Sequence, residues 1–151
     1  MLKLLIVSIA VIPTVAWSQG KTIPIQTAVE IYKDALGKVI TNHKKFKLDR
    51  SDTLTIMQLD SVLVTRMPRQ INKTHIRYSS WDQKGCLTLG KESMKVFLLS
   101  PLIFQEAACL FYLESYTISS SETIRSPQRC DFLYKYDHTS EMYLYQKVRC
   151  E

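Results

Sequence analysis

The segment THIRYSSWD gathers side chains suited to nucleophilic chemistry: His75, Ser79, Ser80 and Asp82. A hydroxyl beside an imidazole beside a carboxylate is the grouping from which hydrolases build an activated nucleophile. One functional expectation is therefore a small hydrolase working from the His75–Asp82 region, with His75, Ser80 and Asp82 as its candidates. The remaining sequence does not reinforce it. There is no G-x-S-x-G turn, and Glu30, Asp34 and Asp60 stand out only as carboxylates. Four glycines in the whole chain include no phosphate-cradling loop. No C-x-x-C-H haem attachment site is present either, and no cofactor is expected.

The cysteines carry a clearer chemistry. Cys86, Cys109, Cys130 and Cys150 all fall in the second half, each at least 20 positions from the next. Zinc sites bring their ligands in close pairs, and His43, His75 and His138 are equally scattered, so no metal site is expected. An even number of widely spaced cysteines suits disulfides in an oxidising compartment.

The first residues point to such a compartment. MLKLLIVSIAVIPTVAWSQG has an early lysine, an apolar run from Leu4 to Val15, and small residues Ala16 and Ser18 before Gln19. That is the pattern of a secretory signal peptide over residues 1–18, leaving one α+β domain over residues 19–151. The apolar run is shorter than the roughly 20 residues that span a bilayer, and no later segment is apolar enough to do so. The mature chain is thus expected to carry no transmembrane anchor and to be periplasmic or extracellular. Loss of Lys3 takes the net charge from +6 to +5. About 130 residues can bury a modest core, which cross-links would help.

The last residues, CDFLYKYDHTSEMYLYQKVRC, read as a hairpin with a cysteine at each outer end. Alternate residues of a strand share a face. Setting Cys130 opposite Cys150 puts Phe132 across from Val148 and Tyr136 across from Leu144. That register needs an odd loop, most simply Thr139-Ser140-Glu141, since an even one would aim the two thiols to opposite faces. Tyr134 and Tyr136 then share the cysteine face, and Tyr143 and Tyr145 point away. Cys86–Cys109 follows as the remaining pair. A bridge closing about 20 residues is worth roughly 3 kcal/mol in the chain-entropy account.

The elements that would position these groups are read from periodicity. TIPIQTAVEIYKDALGKVITNH predicts a helix with Ala28, Ile31, Tyr32, Ala35 and Val39 on one face and a weak point at Gly37. TLTIMQLDSVLVTRM predicts one long strand or two short ones, and THIRYSSW another. MKVFLLSPLIF predicts a strand broken at Pro101. AACLFYLESYT, apolar on both faces, predicts a central strand. SSSETIRSPQR predicts an exposed loop. The sum is an N-terminal helix packed on a curved antiparallel sheet of about five or six strands, ending in a hairpin and held by two disulfides.

Binding residues are suggested by charge and by tyrosine. Lys44, Lys45 and Lys47 crowd one region and suit an anionic envelope surface. Tyr143 and Tyr145 offer rigid area with a polar tip, which suits a glycan or a protein. Export makes nucleic acid an unexpected partner. Asn72-Lys73-Thr74 fits an N-glycosylation sequon, and Asp52-Thr53-Leu54 and Asp60-Ser61-Val62 fit Asp-Ser/Thr-apolar O-glycosylation sites.

MKVFLLSPLIFQEAACLFYLESYT, with Ser100, Pro101 and Phe104 and the closing strand pair, resembles a group of uncharacterised exported small α+β proteins of Bacteroidota-type bacteria. Residues 119–129 lack the loop cysteine of that group, and the resemblance carries over no functional residue. The helix, sheet and terminal hairpin also resemble secreted cystatins, without their Gln-x-Val-x-Gly loop or Pro-Trp hairpin. The expected function is an exported binding or interaction protein. The alternatives are the hydrolase and an inhibitor or ligand-cavity module of cystatin-like or NTF2-like shape.

Overall fold

The computed structural model describes residues 14–15, 23–46, 53–57, 59–83, 93–119 and 122–151. It is α+β, mostly sheet, with one long helix against a curled open sheet. β1 (Thr14–Val15) and β2 (Ile23–Pro24) form a small antiparallel pair ahead of α1 (Ile25–Thr41). The main sheet uses β3 (Thr53–Met57), β4 (Gln70–Ile71), β5 (Thr74–Ser79), β6 (Met94–Leu99), β7 (Ile103–Gln105), β8 (Ala108–Ile118), β9 (Thr123–Asp137) and β10 (Met142–Cys150). Its order is β10-β9-β8-β6-β3-β5-β4, with β7 also on β8.

Two features of this sheet correct the sequence expectation. Among the described residues it has eight strands rather than five or six, and it is mixed rather than antiparallel. β3 runs parallel to both β5 and β6. A parallel pair needs a crossover, and the one between β3 and β5 contains α2 (Ser61–Arg66). The β-branched run SVLVTR is therefore helical instead of continuing a strand. Asp60 is the reason: its carboxylate accepts from the backbone N–H groups of Val62, at 2.8 Å, and Leu63, at 3.4 Å. An N-cap satisfies donors that a new helix leaves free. Leu63 and Met67, one turn apart, are then both buried.

α1 buries Ile25, Ala28, Val29, Ile31, Tyr32, Ala35, Leu36 and Val39, and runs through Gly37 without ending there. Its stripe meets Leu54, Ile56, Phe97, Leu99, Phe111 and Phe132 from the sheet. Tyr32 packs edge-on to Phe111 at 5.3 Å. The opposite face of the sheet carries a smaller core of Met57, Val96 and Ile118, flanked by Trp81 and Tyr116.

On that outer face Glu114 is buried. It pairs with Arg125, lies 3.8 Å from Arg129 and accepts from the Tyr116 hydroxyl at 2.9 Å. Arg129 also lies over the Tyr112 ring, 3.9 Å from its centre.

The break at Pro101 is a continuity of another kind. β6 pairs with Leu113–Ile118 and β7 with Ala108–Leu110, so both lie along the same edge of β8. Ser100 bridges the gap. Its N–H donates to Tyr112 O at 2.9 Å, and its Oγ accepts from Tyr112 N–H at 2.8 Å. The serine hydroxyl thus supplies the acceptor for the Tyr112 N–H where the ladder is interrupted. The carbonyl of Ser100 in turn accepts from the Tyr32 hydroxyl at 2.7 Å, fastening α1 to the break.

The segment expected to be a loop before Cys130 is strand from Thr123 onward. β9 changes register against β8 between Glu114 and Tyr116, whose partners are Arg129 and Arg125. Pro127 sits in the excess residues between those partners, where no ladder donor is needed.

One disulfide is present among the described residues, Cys130–Cys150, and not two. Cys109 is a free thiol with no exposed surface. It sits on β8 opposite Tyr134, on the face that α1 covers. Free cysteine behaves there as a small apolar side chain. The expected Cys86–Cys109 pair followed from the even number of cysteines; Cys109 is instead a free thiol packed in the main core. Cys86 lies outside the described residues.

Candidate functional site

A cavity of about 380 Å³ opens where α1, α2 and the broken edge meet. Each wall follows from a feature already described. Ala28 and Tyr32 come from the α1 stripe, and Leu63 from the helix that Asp60 caps. Leu99, Leu102 and Phe104 come from the two sides of the Pro101 break. Pro101 at the break lines the space, and Ala28 brings only a methyl group to it.

Its size lies within the roughly 300–1,000 Å³ of small-molecule sites, and apolar walls with few polar groups are what such sites have. The two polar groups at the walls are Asp60 and Tyr32. Tyr32 spends its hydroxyl hydrogen on Ser100 O. Burial, more than its neighbours, raises this phenol far above the usual range, so it stays protonated. Asp60 spends one oxygen on the α2 cap and is otherwise exposed. No wall residue is placed as a nucleophile with a base, and the arrangement suits binding.

The structure distributes the sequence-derived candidates elsewhere. His75 pairs with Thr53 and Gln70 near the start of β5. Ser80 and Asp82 lie beyond the other end, Asp82 in the 3-10 turn Trp81–Gln83. Ser80 is thus roughly 16 Å along the strand from His75, at about 3.3 Å per residue. Ser79 donates to Gln83 Oε1 at 3.1 Å, not to an imidazole. The proposed grouping is not assembled.

Lys44 and Lys45 are exposed in the turn after α1, and Lys47 lies outside the described residues. Lys45 O accepts from Gln128 Nε2 at 3.2 Å.

Tyr143 and Tyr145 do not point away from Tyr134 and Tyr136. They stand directly across from them, Tyr143 to Tyr136 and Tyr145 to Tyr134, with ring centres 5.2 and 5.7 Å apart. All four share one face because the loop His138–Glu141 has four residues; beyond them, Gln146 is skipped in the ladder. An odd loop was expected, and a bulge supplies the odd residue instead. Leu144 accordingly faces Lys135 rather than Tyr136, while Phe132–Val148 and Cys130–Cys150 stand as expected.

Sequence reasoning missed Asp60, Leu63 and Ser100 as builders of a cavity. The signal was present in part: Asp-Ser before an apolar run is an N-cap pattern, and Ser-Pro marked the break.

Comparison with family models, with curated proteins and with solved structures finds no match.

Proposed function

We propose that this chain is an exported, disulfide-stapled binding protein that holds a small apolar ligand in the cavity between α1, α2 and the Pro101 break. The observation that carries this is the cavity itself, about 380 Å³ with walls of Ala28, Leu63, Leu99, Leu102 and Phe104. Supporting it are the signal-like first residues and the single disulfide, which suits an oxidising compartment. The carboxylate of Asp60 at the wall disfavours an anionic head group, and the apolar remainder of the walls suits a neutral ligand.

The test is a titration with N-phenyl-1-naphthylamine, a neutral apolar fluorophore. Saturable enhancement is expected for the native chain. Ala28→Leu, which fills the cavity, is expected to weaken it at least fivefold while thermal unfolding stays cooperative. Equal binding by a folded Ala28→Leu variant would refute this placement.

A further inference from the structure

A second groove lies between α1 and β10. It encloses about 490 Å³ and is bordered by Glu30, Asp34, Lys38, Glu141, Tyr143 and Tyr145. On a chain of net charge +6, these walls set three carboxylates against one ammonium.

The aromatic wall is fixed in place. Tyr134 is 1% exposed, and its ring meets that of Tyr145 edge-on at 5.7 Å. Tyr143 is held by Phe104 at 5.4 Å and by Tyr136 at 5.2 Å. Asp34 is oriented through both oxygens: Oδ2 accepts from the Tyr134 hydroxyl at 2.7 Å and Oδ1 meets Lys38 Nζ at 2.8 Å.

The Lys38 ammonium also lies 4.6 Å from the centre of the Tyr145 ring. A cation between a ring face and a carboxylate is how proteins recognise alkylammonium groups. Here the chain's own lysine occupies that position, standing in for a ligand's ammonium. Its side chain is a flexible stem, about one-third exposed at 30%, and can leave without disturbing the Tyr134–Asp34 bond.

We propose that this groove is a binding site for small organic ammonium ions, with Lys38 as a displaceable internal occupant. The ligand's cation would sit on the Tyr145 face against Asp34, with Glu30 and Glu141 adding to the field. Tetramethylammonium is the probe, followed by calorimetric titration of the full mature chain at low salt. Lys38→Met vacates the position and is expected to bind at least tenfold tighter than the native chain. In that background, Tyr145→Leu and Asp34→Asn are each expected to lose at least tenfold. The asparagine can still accept from Tyr134, and near-ultraviolet circular dichroism checks that each variant is folded. A folded Lys38→Met variant that binds no tighter than the native chain overturns the proposal. So does undiminished binding after either wall substitution.

Discussion

Cys150 stands directly across from Cys130 because Gln146 is left out of the ladder between β9 and β10. The four-residue loop alone would set the two cysteines on opposite faces of the hairpin. One bulged residue restores the parity and adds twist where the sheet curls over α1.

Removing Gln146 should therefore uncouple the bridge. A Gln146 deletion is expected to leave Cys130 and Cys150 open to alkylation, read by peptide mass spectrometry. Cys150→Ser is expected to cost about 3 kcal/mol in denaturant unfolding, from the loop that the bridge closes. Full bridging in the deletion variant would contradict the role given to the bulge.

The Cys109 thiol should be silent in the folded chain. Burial pushes its ionisation from 9.0 up to about 12. Only the thiolate reacts, so iodoacetamide at pH 8 is expected to label Cys109 after unfolding in guanidinium and not before.

The same shift gives stability a pH dependence. Below about 9 the thiol is protonated folded and unfolded, and its contribution is constant. As pH rises from 9.0 towards 12, the unfolded chain gives up a proton that the folded chain keeps. Stability then falls with rising pH. Cys109→Ala is expected to shrink that alkaline loss, measured as the difference in urea unfolding between pH 8 and pH 11. An unchanged loss would show that the tyrosines alone account for it.

Ser100 is expected to be costly to replace. In Ser100→Ala the N–H of Tyr112 loses its Oγ acceptor. A buried donor left unpaired costs about 1–3 kcal/mol. Chemical unfolding measures the loss, and hydrogen exchange at the Tyr112 amide should accelerate alongside it.

Gly37 offers the opposite sign. It lies within α1, and a methyl group there would meet nothing within 4 Å. Gly37→Ala is expected to raise stability by about 0.5–1 kcal/mol, through the lower entropy of the unfolded chain. Thermal unfolding reads this directly.

Much of the layout was legible from spacing. The apolar positions from Ala28 to Val39 mark the buried face of the long helix, and Pro101 marks the break between β6 and β7. The pairing of Cys130 with Cys150 was read from strand alternation, which holds on the cysteine side of Gln146 and fails on the loop side. Other features depend on contacts that spacing does not encode. SVLVTR has the composition of a strand, yet the Asp60 cap and the demand for a crossover make it helical. The strand partners of β3 are distant in sequence, so its parallel pairing leaves no local mark. The bulge at Gln146 has no signature residue, and loop length was misjudged by one as a result. The cavity was not legible, because it forms from residues of α1, α2 and two strands that meet only in the fold.

Binding of a neutral apolar ligand beside the Pro101 break is tested most directly by methyl-resolved NMR of the chain titrated with 1-octanol. The account predicts saturable shifts at Ile23, Leu63, Leu99 and Leu102, and none at Val96 or Ile118 in the outer core. Absence of saturable shifts at the first four, or equal shifts in both cores, would contradict it.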